Sequence, residues 1–377
     1  MNLGDLSEKV DDHIRSLTER RADALIERCR KIGIEPPEAE LTVFWGGGKD
    51  STLALFLSCI IASRLNCSVR AVTMVHPGLS VGTIKNIRHI VKSLDIPHEW
   101  RQFVQVCDSP ISSTEPWIKL YRALARSTGL HARFMCVACN FGSLVVEYET
   151  LKASRCQFRV TGNPQRELEE FDRWSDLLYS LFSGHLSFPE LTGISILDYY
   201  RTWWAVYNGL LKELNNMGKF DDGVTESPLD ISDYLFELPD TTCTISNTQI
   251  FSVLEDDEAI YLPHRHNSLL TALGWRLPED IMGGTESDCV MPAAIAAIDM
   301  HHFGYNTYLT HLDYVSKELS ALPEMHDRAV SWATSGRAAR VGGDLLNTMG
   351  ISLGQRWSRS ERRPISMALV EQLLPVR

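Results

Sequence analysis

The sequence lacks the features that mark membrane-embedded or secreted proteins. No apolar run among its 377 residues reaches the roughly 18 residues that a transmembrane helix needs. The first residues, MNLGDLSEKVDDHIRSL, lack the apolar core of a signal peptide. Nine cysteines, an odd number scattered over a long chain, do not have the pattern of a disulfide framework. The sequence therefore predicts a cytoplasmic protein, in which clustered cysteines would serve a metal, a cluster or catalysis.

Basic residues are scarce in the middle of the chain. The net charge is −11, and from Glu213 to Glu258 twelve residues are acidic while only Lys219 is basic. Such a face would repel phosphate backbones, which proteins hold with Lys and Arg. We therefore expect a small-molecule substrate, no large nucleic acid and no membrane partner. The composition leaves the oligomeric state open, a homodimer included.

The chain has no internal repeat and no low-complexity tract. Apolar runs typical of buried strands alternate with segments of helical periodicity. We predict strands at 41–45, 68–75, 98–104 and 157–162. We predict helices at 6–31, 51–65, 81–95, 115–128 and 141–153. This alternation predicts an α/β fold, namely a doubly wound parallel sheet with helices on both faces, followed by a mostly helical C-terminal region.

The same pass along the chain divides it into three regions. Residues 1–35 form an N-terminal helix that the segment PPEAE ends. Residues 36–170 form the α/β domain. Residues 171–377 form a mostly helical region that closes over the substrate, and its aromatic-rich segment 174–211 supplies a second packed core.

The segment FWGGGKDST (44–52) places three glycines between a predicted strand and a predicted helix. Such a junction suits phosphate, because the first amides of a helix are unpaired, its dipole favours negative charge, and glycine has no β-carbon. Two familiar phosphate motifs do not fit. The Walker loop requires Gly-Lys-Ser/Thr, but Asp50 follows Lys49. The dinucleotide fingerprint requires a third glycine where Ser51 stands.

The segment resembles instead the PP-loop, Ser-Gly-Gly-x-Asp-Ser, of the N-type ATP pyrophosphatases. Residues 47–51 match that pattern, whereas Gly46 replaces the first serine. The resemblance implies an adenine nucleotide alpha-hydrolase-like fold and an enzyme that binds ATP with Mg²⁺ and cleaves it between the α and β phosphates. It implies nucleotide contacts from the loop and from the end of the second strand: Gly46, Gly47, Gly48, Lys49, Asp50, Ser51, Thr52, Thr73 and Val75.

Two charged residues carry the chemistry that the resemblance implies. Lys49 would neutralise charge on the leaving pyrophosphate, and Asp50 would help to hold Mg²⁺. Residues 134–168 strengthen the resemblance, because they read Cys-x-x-Cys, helix, strand and then Gly-Asn with an acidic residue after it. That order implies three more residues near the nucleotide, Gly162, Asn163 and Glu167. The tRNA thiolases of the family have a His-rich segment there, so GNPQRE argues against a tRNA substrate.

Cys136 and Cys139 have the spacing at which two thiolates can bind one metal ion or cluster. Cys289, in the polar segment GTESDCVMP, is the first candidate for a third ligand. Three cysteines would suit a [4Fe–4S] cluster with one open iron, as in a thiolase subgroup of the family. Zn²⁺ and the absence of any metal are the alternatives. Further candidate ligands are Cys156, Cys243, His264 and His266. Cys289 is also a candidate catalytic thiol or persulfide carrier.

The resemblance implies that an acceptor oxygen becomes an AMP ester, which a nucleophile then displaces. We favour sulfur, because Cys136, Cys139 and Cys289 are candidate catalytic residues for handling it. One branch of the family, the ATP pyrophosphatase of 6-thioguanine biosynthesis, makes a purine-like base a candidate acceptor. The alternative nucleophile is ammonia, which a partner protein would supply in the absence of a glutaminase domain. Alternatives of another class are a nucleotide-binding module and an adenylylsulfate-type reductase.

Overall fold

A computed structural model of the chain gives the fold. It describes residues 12–76, 78–102, 129–154, 156–162, 196–216, 248–254, 269–278, 289–302 and 336–351, with Leu235, Ile245, Ile281 and Ser331. Within these segments, no helix combines the length and the apolar character that crossing a bilayer requires.

A five-stranded, all-parallel sheet forms the centre of the described fold. Its strands are β1 (Glu40–Phe44), β2 (Ser68–Val75), β3 (His98–Gln102), β4 (Phe158–Thr161) and β5 (Gln249–Ser252). Their spatial order is β3-β2-β1-β4-β5. The α/β class predicted from the sequence is therefore confirmed.

Four of the five strands were predicted within a few residues of their observed bounds. The β-branched and aromatic residues that make up most of β1, β2 and β4 explain this success, because these residue types are enriched in strands. The strand β5 was not predicted. Its four residues, QIFS, form too short an apolar run to be told from a loop. The sheet therefore takes one strand from the region beyond residue 170.

Seven α-helices accompany the sheet in the described segments. They are α1 (Asp12–Ile32), α2 (Lys49–Leu65), α3 (Val81–Leu94), α4 (Gly129–Lys152), α5 (Ile196–Asn216), α6 (Met291–His302) and α7 (Gly336–Thr348). The helix predicted at 141–153 is longer than expected, since α4 begins twelve residues earlier, at Gly129. Its two cysteines at 136 and 139 lie inside the helix rather than before it. The helix predicted at 115–128 lies outside the described residues.

Helices flank the sheet. On one face, Val43 of β1 and Val160 of β4 belong to a core shared with α1, α2 and α3. Side chains of a strand alternate between faces, so the neighbouring Arg159 points the other way, where its Nε donates to Glu147 of α4. The helix α2 is apolar on nearly all sides because the sheet covers one of them and α1 another.

The main core draws on all parts of the sequence. From α1 it takes Leu17 and Leu25, and from the segment 269–278 it takes Leu270 and Trp275. Each fully buried large apolar side chain stabilises the fold by about 1.5–3 kcal/mol. The helix α1 precedes residues 36–170 in the sequence and the segment 269–278 follows them, and both stabilise the same core as the strands.

Candidate functional site

The order of the strands creates a switch point between β1 and β4. From β1 the chain adds β2 and β3 on one side, and it then adds β4 and β5 on the other side. In open parallel sheets of this kind, ligands bind beyond the carboxyl ends of the strands where the order reverses. The glycine loop, residues 46–48, follows β1, and Gly162 follows β4. The two glycine segments therefore flank the switch point.

The glycine loop has a conformation that side chains would not allow. Gly47 has φ +83°, in the left-handed region that glycine adopts without strain. A β-carbon there would lie 2.7 Å from side-chain atoms of Thr83 and Ile87 on α3. Gly48 is the N-cap of α2 and supplies no side-chain hydrogen bond to the helix. Helix geometry leaves the first amides without partners inside the helix, so this end of α2 is suited to an anion.

The end of β4 lies directly against the first turn of α2. A β-carbon at Gly162 would lie 3.0 Å from the backbone nitrogen of Ser51 and 3.1 Å from the carbonyl of Asp50. The fold therefore brings Gly162 to the first turn of α2, next to the glycine loop, and its contact with a nucleotide stays a prediction. Asn163 and Glu167, the other predicted residues of this stretch, lie outside the described residues.

Lys49 and Asp50 form an ion pair at the start of α2. Lys49 Nζ lies 2.7 Å and 2.8 Å from the two carboxylate oxygens of Asp50. The side chains are 11% and 25% exposed, so solvent reaches the pair only in part. The site therefore holds a cation and a carboxylate in contact. When a phosphate and its metal ion bind, Lys49 would pair with the phosphate and Asp50 with the metal ion.

Trp45, the residue before the glycines, fixes the start of the loop. Its Nε1 donates to Thr52 Oγ1 at 3.0 Å, and Thr73 Oγ1 donates to its carbonyl at 2.8 Å. Its backbone nitrogen donates to the carbonyl of Val72. Thr52 and Thr73 are fully buried, and their hydroxyls hold the loop in place. The nucleotide contact assigned to these two threonines stays a prediction.

Cys289 comes from the C-terminal half of the chain to the loop after β2. It forms an antiparallel bridge with Leu79, and the next backbone nitrogen, of Val290, donates to the carbonyl of Gly78. A β-carbon at Gly78 would lie 2.8 Å from Cys289 Sγ and 3.3 Å from His76 Nδ1. The thiol and the imidazole therefore flank one glycine close to the end of β2, where Val75 lies half-buried.

His76 lies beside this thiol in a setting that disfavours its charged form. Burial lowers the pKa of the imidazole to about 4. Its Nδ1 is enclosed and makes no hydrogen bond within the described part of the chain. The imidazole is therefore neutral at physiological pH, and its Nδ1 lies close to Gly78.

The other candidate cysteines have different surroundings. Cys139 is buried in α4, a helix that packs against α6, the helix beginning at Met291. Cys156 is also buried, and its thiol donates to the carbonyl of Phe158. The side chain of Cys136 lies outside the described residues, as do Cys243, His264 and His266. Among the described residues, no three His, Cys, Asp or Glu side chains form a group that could hold a metal ion. The cluster stays a prediction.

One residue at the glycine loop was not apparent from the sequence. Trp275 Nε1 donates to the carbonyl of Gly47 at 2.9 Å, although 228 positions separate the two residues. A lone tryptophan in a loop has no periodic neighbour that would reveal its partner. Only the folded chain places it at the loop.

Comparison with known proteins does not assign this site. No protein-family model matches the chain, and no curated protein is significantly similar to it. The functional argument therefore depends on the geometry of the glycine loop and on the charges beside it. That geometry offers a glycine-lined helix terminus for phosphate, one cation, one carboxylate and a nearby thiol.

Proposed function

We propose that the protein binds ATP with Mg²⁺ and cleaves it between the α and β phosphates, adenylating an oxygen atom of a small molecule. One observation carries the proposal. The glycine loop joins β1 to α2 at the switch point, and Gly162, directly after β4, packs against the first turn of α2. We also propose that the sheet is doubly wound in the manner of the adenine nucleotide alpha-hydrolases, and that the enzyme works in the cytoplasm.

The residues of the loop fit a triphosphate and its metal ion. Gly47 and Gly162 let α3 and the first turn of α2 pack closely around the loop, so its backbone is fixed beside the amides that start α2. Lys49 supplies a positive charge that stabilises the leaving pyrophosphate. Asp50 supplies a carboxylate oxygen of the type that Mg²⁺ prefers. The metal ion, when bound, neutralises charge on the phosphates.

The fate of the AMP ester is the second part of the proposal. We propose that sulfur replaces the activated oxygen, giving a thioamide or thiocarbonyl on a purine-like base or another small acceptor. The position of Cys289 at the end of β2 supports sulfur, because it puts a thiol at the same edge of the sheet as the glycine loop. Ammonia from a partner protein is the alternative nucleophile. No described contact favours the reductase or the binding module.

The first experiment asks which bond of ATP is broken. The protein is incubated with ATP, Mg²⁺ and a panel of purine-like and amide acceptors, with either sulfide or ammonium. We expect AMP and pyrophosphate, and a product whose mass has risen by the difference between sulfur and oxygen. Formation of ADP and phosphate would contradict the proposed cleavage. A product that gains nitrogen would identify the amidating alternative.

The second experiment tests the sulfur centre. The protein is purified without oxygen, and its iron, zinc and acid-labile sulfide are measured together with its absorbance spectrum. Iron and sulfide in equal amounts that are lost in Cys139→Ser would support a cluster. A colourless, metal-free protein with full activity would overturn the cluster. Loss of activity in Cys289→Ser alone would then identify Cys289 as the reacting thiol.

A further inference from the structure

The segment 269–278 docks on α3 and on the glycine loop. Asn86 of α3 makes two hydrogen bonds with the backbone of Arg276, one donated through Nδ2 (2.6 Å) and one accepted through Oδ1 (3.2 Å). A β-carbon at Gly82 would lie 2.6 Å from Pro278. The residues that directly follow Trp275 are thus held against α3.

The indole of Trp275 is the group that reaches the glycine loop. It is 8% exposed, and its Nε1 donates to the Gly47 carbonyl. The backbone nitrogen of Trp275 donates to the carbonyl of Leu270 at 2.9 Å, which closes the turn behind it. The indole is therefore fixed from its own segment and from α3, and it approaches the loop as a rigid donor.

The peptide between Gly47 and Gly48 has an orientation that matters for an anion. The described chain contains no cis peptide bond, so the carbonyl of Gly47 and the amide of Gly48 point in opposite directions. With the carbonyl fixed on Trp275, the amide of Gly48 is directed away from the indole. Glycine on both sides lowers the barrier to turning this peptide over. A donor on the carbonyl selects one of its two orientations.

We infer that Trp275 is a positioning residue for the phosphate-binding loop, because its hydrogen bond to the Gly47 carbonyl keeps the Gly48 amide directed at the phosphates. The inference rests on the proposed function. It makes phosphate binding depend on the docking of a segment from the C-terminal half of the chain, more than two hundred positions from the loop.

The experiment compares Trp275→Phe, which removes the donor and keeps an aromatic ring, with Trp204→Phe. Trp204 is a matched control, since it is buried in α5 against Phe141 and Tyr148 of α4. Affinities for Mg²⁺–pyrophosphate, Mg²⁺–ATP and adenosine are measured by calorimetry. In Trp275→Phe we expect roughly five- to tenfold weaker binding of pyrophosphate and ATP, the size of one hydrogen bond. Adenosine binding should not change, and Trp204→Phe should bind all three ligands normally.

The possible outcomes distinguish a failure of the positioning role from a failure of the proposed function. If wild type binds ATP and pyrophosphate and Trp275→Phe binds them equally well, the positioning role is wrong and the proposed function stands. An equal loss for adenosine would show a general packing role and would also overturn it. If wild type binds neither phosphate ligand, both proposals fall.

A second variant removes the donor without changing the shape of the side chain. Incorporation of benzothienylalanine at position 275 replaces the indole N–H by sulfur and keeps the core packing. This variant therefore tests the inference even if Trp275→Phe does not fold. We expect the same selective loss of phosphate affinity. Hydrogen exchange at the Gly48 amide should also become faster without ligand. Unchanged affinity in this variant would overturn the inference.

Discussion

The protein contains two ion pairs whose surroundings differ in every respect that decides what an ion pair can do. Lys49 and Asp50 are adjacent in sequence, lie in the first turn of α2 and are partly exposed. Arg159 and Glu147 join β4 to α4, and both side chains are 8% exposed. Tyr200 of α5 donates a further hydrogen bond to Glu147 at 3.1 Å. The first pair can be separated by a ligand, whereas the second is enclosed by packed helices.

Two groups at the buried pair, the Arg159 guanidinium and the Tyr200 hydroxyl, have raised pKa values. Burial lowers the pKa of Arg159, but Glu147, Tyr199 and Tyr200 together raise it by more, and the net shift is upward. Burial and the same carboxylate raise the pKa of the Tyr200 hydroxyl well above its usual value. Both groups therefore keep their protons over the whole physiological range. The buried pair, with the Tyr200 hydroxyl, joins β4, α4 and α5.

The largest expected effect comes from breaking the buried pair. Glu147→Ala leaves the Arg159 guanidinium buried without its counterion, and we expect a loss of about 3–5 kcal/mol in the free energy of unfolding. Urea unfolding followed by circular dichroism measures it. A loss below about 1 kcal/mol would mean that solvent reaches this pair as it reaches the first.

Removing one partner of the Lys49–Asp50 pair should lower turnover rather than stability. We expect Lys49→Ala to lower the rate of pyrophosphate release by about 100- to 1,000-fold, as expected for removal of one group that stabilises developing charge. Its unfolding free energy should stay within about 1 kcal/mol of wild type. Near-normal turnover in this variant would remove Lys49 from the proposed mechanism.

Tyr200→Phe removes one hydrogen bond to the buried carboxylate. We expect a loss of about 1.5–3 kcal/mol in unfolding free energy. A double-mutant cycle with Glu147→Gln checks whether the effect passes through that carboxylate, since independent sites would give additive losses.

The tyrosine also predicts a dependence on pH. Its pKa is higher in the folded protein than the ordinary 10.0, so above pH 10 the unfolded chain loses this proton while the folded chain keeps it. The contribution of Tyr200 to the free energy of unfolding is complete below pH 10 and decreases as the pH rises above it. Tyr200→Phe should therefore lose less stability than wild type between pH 10 and 11, and an identical slope in the two proteins would contradict the shift.

The smallest expected effect is on the stability of the loop pair. Asp50→Asn removes an ion pair that water partly screens, and we expect a change below about 1 kcal/mol in unfolding free energy. The same variant should need more Mg²⁺ for half-maximal ATP cleavage, which a magnesium titration measures. A larger loss of stability would place this pair in the same class as the buried one.

The sequence by itself determined the local parts of the fold. The β-branched and aromatic residues of β1, β2 and β4, the long apolar run of α2 and the periodicity of α3 are properties of neighbouring residues, and the structure confirms these elements. The glycine loop between β1 and α2 was also visible, because three consecutive glycines stand between an apolar run and a long helical segment. The short strand β5 and the early start of α4 were missed, since four residues give a weak pattern and the helix was expected to begin only after Cys139.

Only the tertiary structure decided which distant residues meet. Trp275 reaches the carbonyl of Gly47 across 228 positions, and Cys289 reaches the loop after β2 through Leu79. Arg159 of β4 pairs with Glu147 of α4, because a buried guanidinium needs a counterion and α4 supplies one. Such pairings depend on topology and on burial, and residues far apart in sequence carry no local pattern that reveals them. The physical reason is that propensity acts over a few residues, whereas the partner of a buried polar atom is set by the whole fold.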